Sequence, residues 1–84
     1  MLSSRIQVLA SPSIREKAAR FILEREIEDG SAGIGMSREA MADYMGVTRP
    51  SLSRELGRMQ AEGLIRIDGR RIVVTDQEGL EMYL

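Results

Sequence analysis

Apolar positions along this 84-residue chain change their spacing several times, and the changes divide it into elements. Residues 2–9 form a run too short to assign. Ser11-Pro12-Ser13 interrupts it, and beyond that point Ile14, Ala18, Phe21 and Ile22, flanked by Leu23 and Ile27, recur at helical spacing. Ser13 followed three residues later by Glu16 is a capping-box pattern, so a helix is predicted over about 13–29. The stretch GSAGIG, with three glycines in six residues, ends it. Ser37 caps a second helix to about residue 45, with Met41, Ala42 and Met45 as its inner face. Gly46 supplies the residue that tolerates a positive φ at the helix end. A third helix is predicted over about 48–62. The period then changes from that of a helix to that of a strand: LIRIDGRRIVV reads as two β-rich runs about Asp68-Gly69, a strong hairpin signal spanning about 64–74. The tail DQEGLEMYL fits a short closing helix.

The segment YMGVTRPSLSREL asks whether Pro50 breaks a helix or begins one. The first turn of a helix has N–H groups without intrahelical partners, so a residue lacking that donor is tolerated there. With Thr48 as the cap, Pro50 is the second residue of a new helix. Proline disfavours helical geometry in Arg49, which would allow the cap to move one residue on; the expectation is Thr48. Two helices joined by a tight glycine turn and followed by a hairpin describe a winged helix-turn-helix: mainly α, a three-helix core plus a small antiparallel β-hairpin. That geometry asks for a small residue at Ala42, a turn at Gly46 and apolar filling at Met45, Val47 and Leu52. Glu55 stands where such a motif often has an apolar side chain, with Leu56 available in its place.

Turning the third helix at about 100° per residue puts Leu52, Leu56 and Met59 on one side. Pro50, Ser53, Arg54, Gly57 and Arg58 lie on the other, with Arg49 at the exposed N-terminal end. Arginine, hydroxyl and small side chains are what a helix in a DNA major groove needs. Taken alone, these arginines would be an ordinary solvated face, and Arg54 could pair with Glu55 or Glu62. The complete motif favours the DNA reading. Arg70 and Arg71 at the wing are weaker candidates, because hairpin tips are commonly charged for solubility, and Arg66 is weaker still. The six methionines are expected as gap-filling core residues.

Composition narrows the function further. There is no histidine and no cysteine, which removes Ser-His-Asp and Cys-His catalysis, imidazole and thiolate metal ligation, and disulfides. No pair of acids sits in an apolar setting, so no enzyme and no cofactor are expected. No run approaches the ~18 apolar residues of a membrane span, and MLSSRIQVLA lacks the basic start and long apolar stretch of a secretory signal, so a cytoplasmic protein is expected. The net charge of -1 hides an uneven distribution: residues 46–72 carry six arginines against Glu55, Glu62 and Asp68, while residues 73–84 carry three acids and no base. A local basic patch, not total charge, is the electrostatic footprint of a nucleic-acid partner.

MSREAMADYMGVTRPSLSREL and MQAEGLIRIDGRRIVVTD resemble the DNA-binding domain of the cyclic-AMP receptor protein and fumarate-nitrate regulator family of bacterial transcription regulators. SSRIQVLASPSIREKAARFIL is similar to the hinge and first helix that precede those stretches, which makes residues 1–12 a hinge and 13–84 the domain. The resemblance implies a homodimer on double-stranded DNA at a two-fold symmetric operator, with RNA polymerase as a further partner. It also implies a sensory β-barrel and a long dimerisation helix that these residues do not contain, so the chain is expected to be an excised domain or a short stand-alone relative. Arg54 matches the family's main guanine-reading arginine, and Arg49 and Ser53 fall where the family uses further base or backbone contacts and are expected as base contacts. Thr48, Ser51, Arg58, Arg70 and Arg71 are the expected backbone contacts. Pro50 departs from the pattern, since many members have a base-reading glutamate there, and a different or relaxed base preference is expected. The alternative class is a winged-helix protein-interaction or dimerisation module, which would show large apolar or aromatic anchors on the third helix.

Overall fold

The computed structural model describes the backbone of residues 13–29 and 36–84, with side chains up to residue 25 in the first segment. The expected hinge at 1–12, the glycine segment 30–35 and the side chain of Ile27 lie outside the described residues.

Each helix start is fixed by a local hydrogen bond that the sequence supplies. In α1 (Ile14–Asp29) the Glu16 N–H donates to Ser13 Oγ at 3.1 Å, and the Ser13 N–H donates to Glu16 Oε1 at 2.9 Å. Ser37 Oγ accepts from the Ala40 N–H at 3.1 Å to open α2 (Arg38–Met45). Thr48 Oγ1 accepts from the Ser51 N–H at 3.3 Å to open α3 (Arg49–Ala61). Pro50 is therefore the second residue of α3, and it starts a helix rather than breaking one.

The ends of α2 and α3 use the same device. Gly46 has φ 73°, its N–H donates to the Asp43 carbonyl at 3.2 Å, and the Val47 N–H donates to the Ala42 carbonyl at 3.0 Å. Gly63 has φ 84°, with Gly63 N–H to the Gln60 carbonyl and Leu64 N–H to the Met59 carbonyl, both 3.0 Å. Both are Schellman closures, which need a left-handed residue and bring an apolar side chain beyond the turn back onto the helix. Leu64 and Met59, joined across the second turn, are both buried in the core.

Strands β1 (Ile65–Asp68) and β2 (Arg71–Val74) pair antiparallel, with Ile65 opposite Val74 and Ile67 opposite Ile72. Those four side chains share the inner face, and Arg66 and Val73 share the outer one. The turn differs from the Asp68-Gly69 centre read from sequence. Asp68 pairs with Arg71, so Gly69 and Arg70 are the two central residues, and of these only Gly69 has a positive φ, 63°. That is the pattern of a type II′ turn, which asks for glycine first and leaves Asp68 as extended strand. Asp76 then caps α4 (Gln77–Glu81) through the Gly79 N–H at 3.0 Å.

The core lies where α1 packs on α3, α4 and β2, and where α3 packs on α2 and β1. Ile22, Met41, Leu52, Leu56, Ile72 and Leu80 are its fully buried side chains of greatest size, together with Met59 and Ile65. Ala42 is buried where α2 meets α3, while Met45 and Val47 pack half-buried against the core. Ala19 is buried as well, one position beyond the apolar stripe read on α1. Met82 departs from the expected role of the methionines, since it is 85% exposed after α4.

Candidate nucleic-acid interface

The side of α3 away from the core carries Arg49, Pro50, Ser53, Arg54, Gly57 and Arg58, all exposed, with Ser51 half-buried. Leu52, Glu55, Leu56 and Met59 are its buried positions. Among the described residues, neither Arg54 nor Arg49 has an ion-pair or hydrogen-bond partner. The acids that could have neutralised Arg54 are engaged elsewhere. Arg15 of α1 donates from Nε to Glu55, from Nη1 to Glu62 Oε1 at 2.7 Å, and from Nη2 to Glu62 Oε2 at 2.9 Å. Its Nη1 also reaches the Tyr83 hydroxyl at 3.1 Å.

Glu55 is only 9% exposed, and a lone carboxylate there would be costly. Arg58 supplies a second partner, its Nη2 donating to Glu55 Oε1 at 2.7 Å. Burial alone would raise the pKa of Glu55, but the bonds from Arg58 and Arg15 outweigh it and hold the carboxyl below its ordinary value. The Arg15 hydrogen bond likewise lowers Glu62, and Arg15 itself is raised by Glu62 first and Tyr83 second. Arg58, expected on the DNA backbone, is thus held along the helix by Glu55 while its side chain stays 60% exposed. Thr48 and Ser51 are also joined, the Thr48 hydroxyl donating to Ser51 Oγ at 2.9 Å.

The wing presents exposed Arg66, Arg70 and Arg71. A residue the sequence did not flag ties it to the helices. Arg38, the first residue of α2, donates from Nη1 to the Arg70 carbonyl at 3.1 Å and from Nη2 to the Gly69 carbonyl at 3.3 Å. Its pKa is lowered by burial and by the nearby Arg49 charge. Arg15 was missed in the same way. The only sequence signal for it was an acid at position 55, a site that asks for an apolar residue, which implies that a cation reaches it from elsewhere in the fold. Nothing in the order of residues says which one.

No described helix is long and apolar enough to cross a membrane, and no group of three or more metal-ligating side chains occurs among the described residues.

Comparison with known proteins places this geometry among relatives. The model of the Crp-like helix-turn-helix domain matches residues 16–83. The chain is 31% identical to electron transport regulator A of Shewanella oneidensis over 92% of its own length and 34% of that protein's. A crp/fnr-family protein from Eubacterium rectale superposes with a TM-score of 0.81 at 27% identity, covering 92% of this chain and 35% of that one. FixK2 from Bradyrhizobium japonicum does so with a TM-score of 0.78 at 26% identity, covering 96% and 43%. The chain spans about a third of the length of the curated relatives it matches along most of its own.

Proposed function

The chain belongs to the Crp-like helix-turn-helix family, and on that premise we propose that it is the sequence-specific DNA-binding domain of a bacterial transcription regulator. In this reading α3 enters the major groove and the wing follows the phosphate backbone. The observation that carries it is the pair of uncompensated arginines, Arg49 and Arg54, on a face from which both nearby acids have been withdrawn by Arg15. An arginine fork without an internal partner is free to meet the two acceptors of a guanine edge. Arg54 is the principal base reader, with Arg49 and Ser53 beside it. Thr48, Ser51, Arg58, Arg70 and Arg71 meet the backbone, and for Arg58 this requires sharing its guanidinium with Glu55 or leaving it.

The same reading makes the working form a homodimer on a two-fold symmetric operator in the cytoplasm, with RNA polymerase as a partner and any effector bound outside these residues. Selecting binding sites from random duplex DNA and measuring Arg54→Ala on the selected site tests it. The expected loss is roughly 1–3 kcal/mol, with relaxed discrimination at one base pair. A variant that binds the selected site as the unaltered chain does would remove α3 from the groove.

A further inference from the structure

We propose that Arg38 is a positioning residue that holds the tip of the wing at a fixed place relative to α3, and that the wing reaches the DNA backbone through this strut. The proposal rests on the DNA-binding reading above.

A two-stranded hairpin alone is marginally ordered in water, and here the core and the bond from the Ile67 N–H to Gln60 Oε1 at 2.6 Å secure the strands but do not reach the turn. Ile65 and Ile72 are buried, whereas Asp68, Gly69, Arg70 and Arg71 are exposed. The ladder ends at the Asp68–Arg71 pair, so the carbonyls of Gly69 and Arg70 lie in the loop beyond it. The Arg38 guanidinium donates to both of them, through two different nitrogens at 3.1 and 3.3 Å. The other end of that side chain is the first residue of α2, next to the Ser37 cap. From α2 the path to α3 is short: the turn at Gly46, closed by two backbone hydrogen bonds, and then the Thr48 cap. The wing turn is therefore braced against the helix-turn-helix itself, across 31 and 32 residues of sequence.

Two features make arginine the residue suited to this position. Its planar fork can satisfy two adjacent carbonyls at once, which a lysine ammonium does less well. Its position also has a cost, because burial and the Arg49 charge both disfavour a cation there. The two carbonyl dipoles offset that cost and keep the side chain on the wing. Among the described residues no carboxylate pairs with Arg38, so the wing is what it holds.

The test uses the 84-residue chain and the variants Arg38→Ala, Arg38→Lys, Arg70→Ala and the double variant Arg38→Ala/Arg70→Ala. Without DNA, backbone order parameters at Gly69 and Arg70 are expected to fall from about 0.85 towards 0.6 in both Arg38 variants, with Ile65 and Ile72 unchanged. With a mixed-sequence duplex, both Arg38 variants are expected to bind roughly three- to tenfold more weakly. They should also flatten the salt dependence by about one unit, as Arg70→Ala does. Most of the Arg38 effect should vanish once Arg70 is gone, because the two act through one contact. Unchanged order parameters would overturn the proposal. So would full binding by Arg38→Lys, or multiplicative losses in the double variant, since Arg38 would then act by its charge alone. These outcomes leave the DNA-binding reading standing. If the unaltered chain binds no duplex even at low salt, that reading fails, and the wing's role with it.

Discussion

At the scale of single residues, Pro50 and Gly57 separate the demands of folding from those of recognition. Pro50 occupies the second position of α3, where its missing N–H leaves no helical acceptor unmet, and its ring is exposed. It has nothing with which to read a base. Pro50→Glu is therefore expected to leave stability nearly unchanged while sharpening the preference at one base pair, measured by binding to all four pairs at that position; an unaltered preference argues against the assignment. Gly57 sits inside α3 with nothing within 4 Å of the place a Cβ would take. Gly57→Ala should stabilise the fold by about 0.5–1 kcal/mol, because glycine is a poor helix residue and the site is empty. A thermal melt reads that gain. If the backbone approaches DNA closely at this point, the same variant will bind duplex more weakly while being more stable.

Between elements, the contacts that fix relative positions are polar and distant in sequence. Arg15 ties α1 to α3 through Glu55 and Glu62 and to the C-terminus through Tyr83. Arg15→Ala leaves the buried Glu55 with Arg58 alone, and a cost of about 1–3 kcal/mol is expected from denaturant unfolding at neutral pH. The pH dependence follows from the direction of the shift. Glu55 is held below its ordinary pKa, so the folded state favours its ionised form. Its contribution is fully present above the ordinary glutamate value and is lost as the pH falls through the lower folded value. Glu55→Gln should accordingly flatten the acid limb of the stability profile. α4 has a different constraint. A Cβ on Gly79 would lie 2.6 Å from Asp76 Oδ2 and 2.7 Å from the buried Leu64 Cδ2. Gly79→Ala should thus cost about 1–2 kcal/mol despite alanine's better helix propensity.

At the scale of the whole molecule, the proposed homodimer on a two-fold operator would leave a single domain only one half-site to engage, so its affinity alone is expected to be low. Joining two copies with a flexible linker that spans the half-sites should raise affinity for a two-fold operator by about 10²–10⁴-fold, checked against a duplex carrying one half-site. How much of this molecule could be read from its sequence varies with the range of the contact. The Ser13, Ser37 and Thr48 caps, the Gly46 and Gly63 closures and the outward face of α3 are set by residues a few positions apart, where spacing alone fixes geometry. The hairpin was legible too, but its turn fell one residue later than the Asp-Gly signal suggested. The pairing of Ile67 with Ile72 and of Ile65 with Val74 turns these side chains to one face, and that requirement outweighs a dipeptide preference. The strut from Arg38 to the wing and the Arg15 hub join residues 31 to 68 positions apart. Their partners depend on how the chain folds back on itself, which no local pattern encodes. The sequence by itself determined the elements, their caps and which arginines face outward. Only the tertiary structure decided which acids are withdrawn from that face and which cation braces the wing.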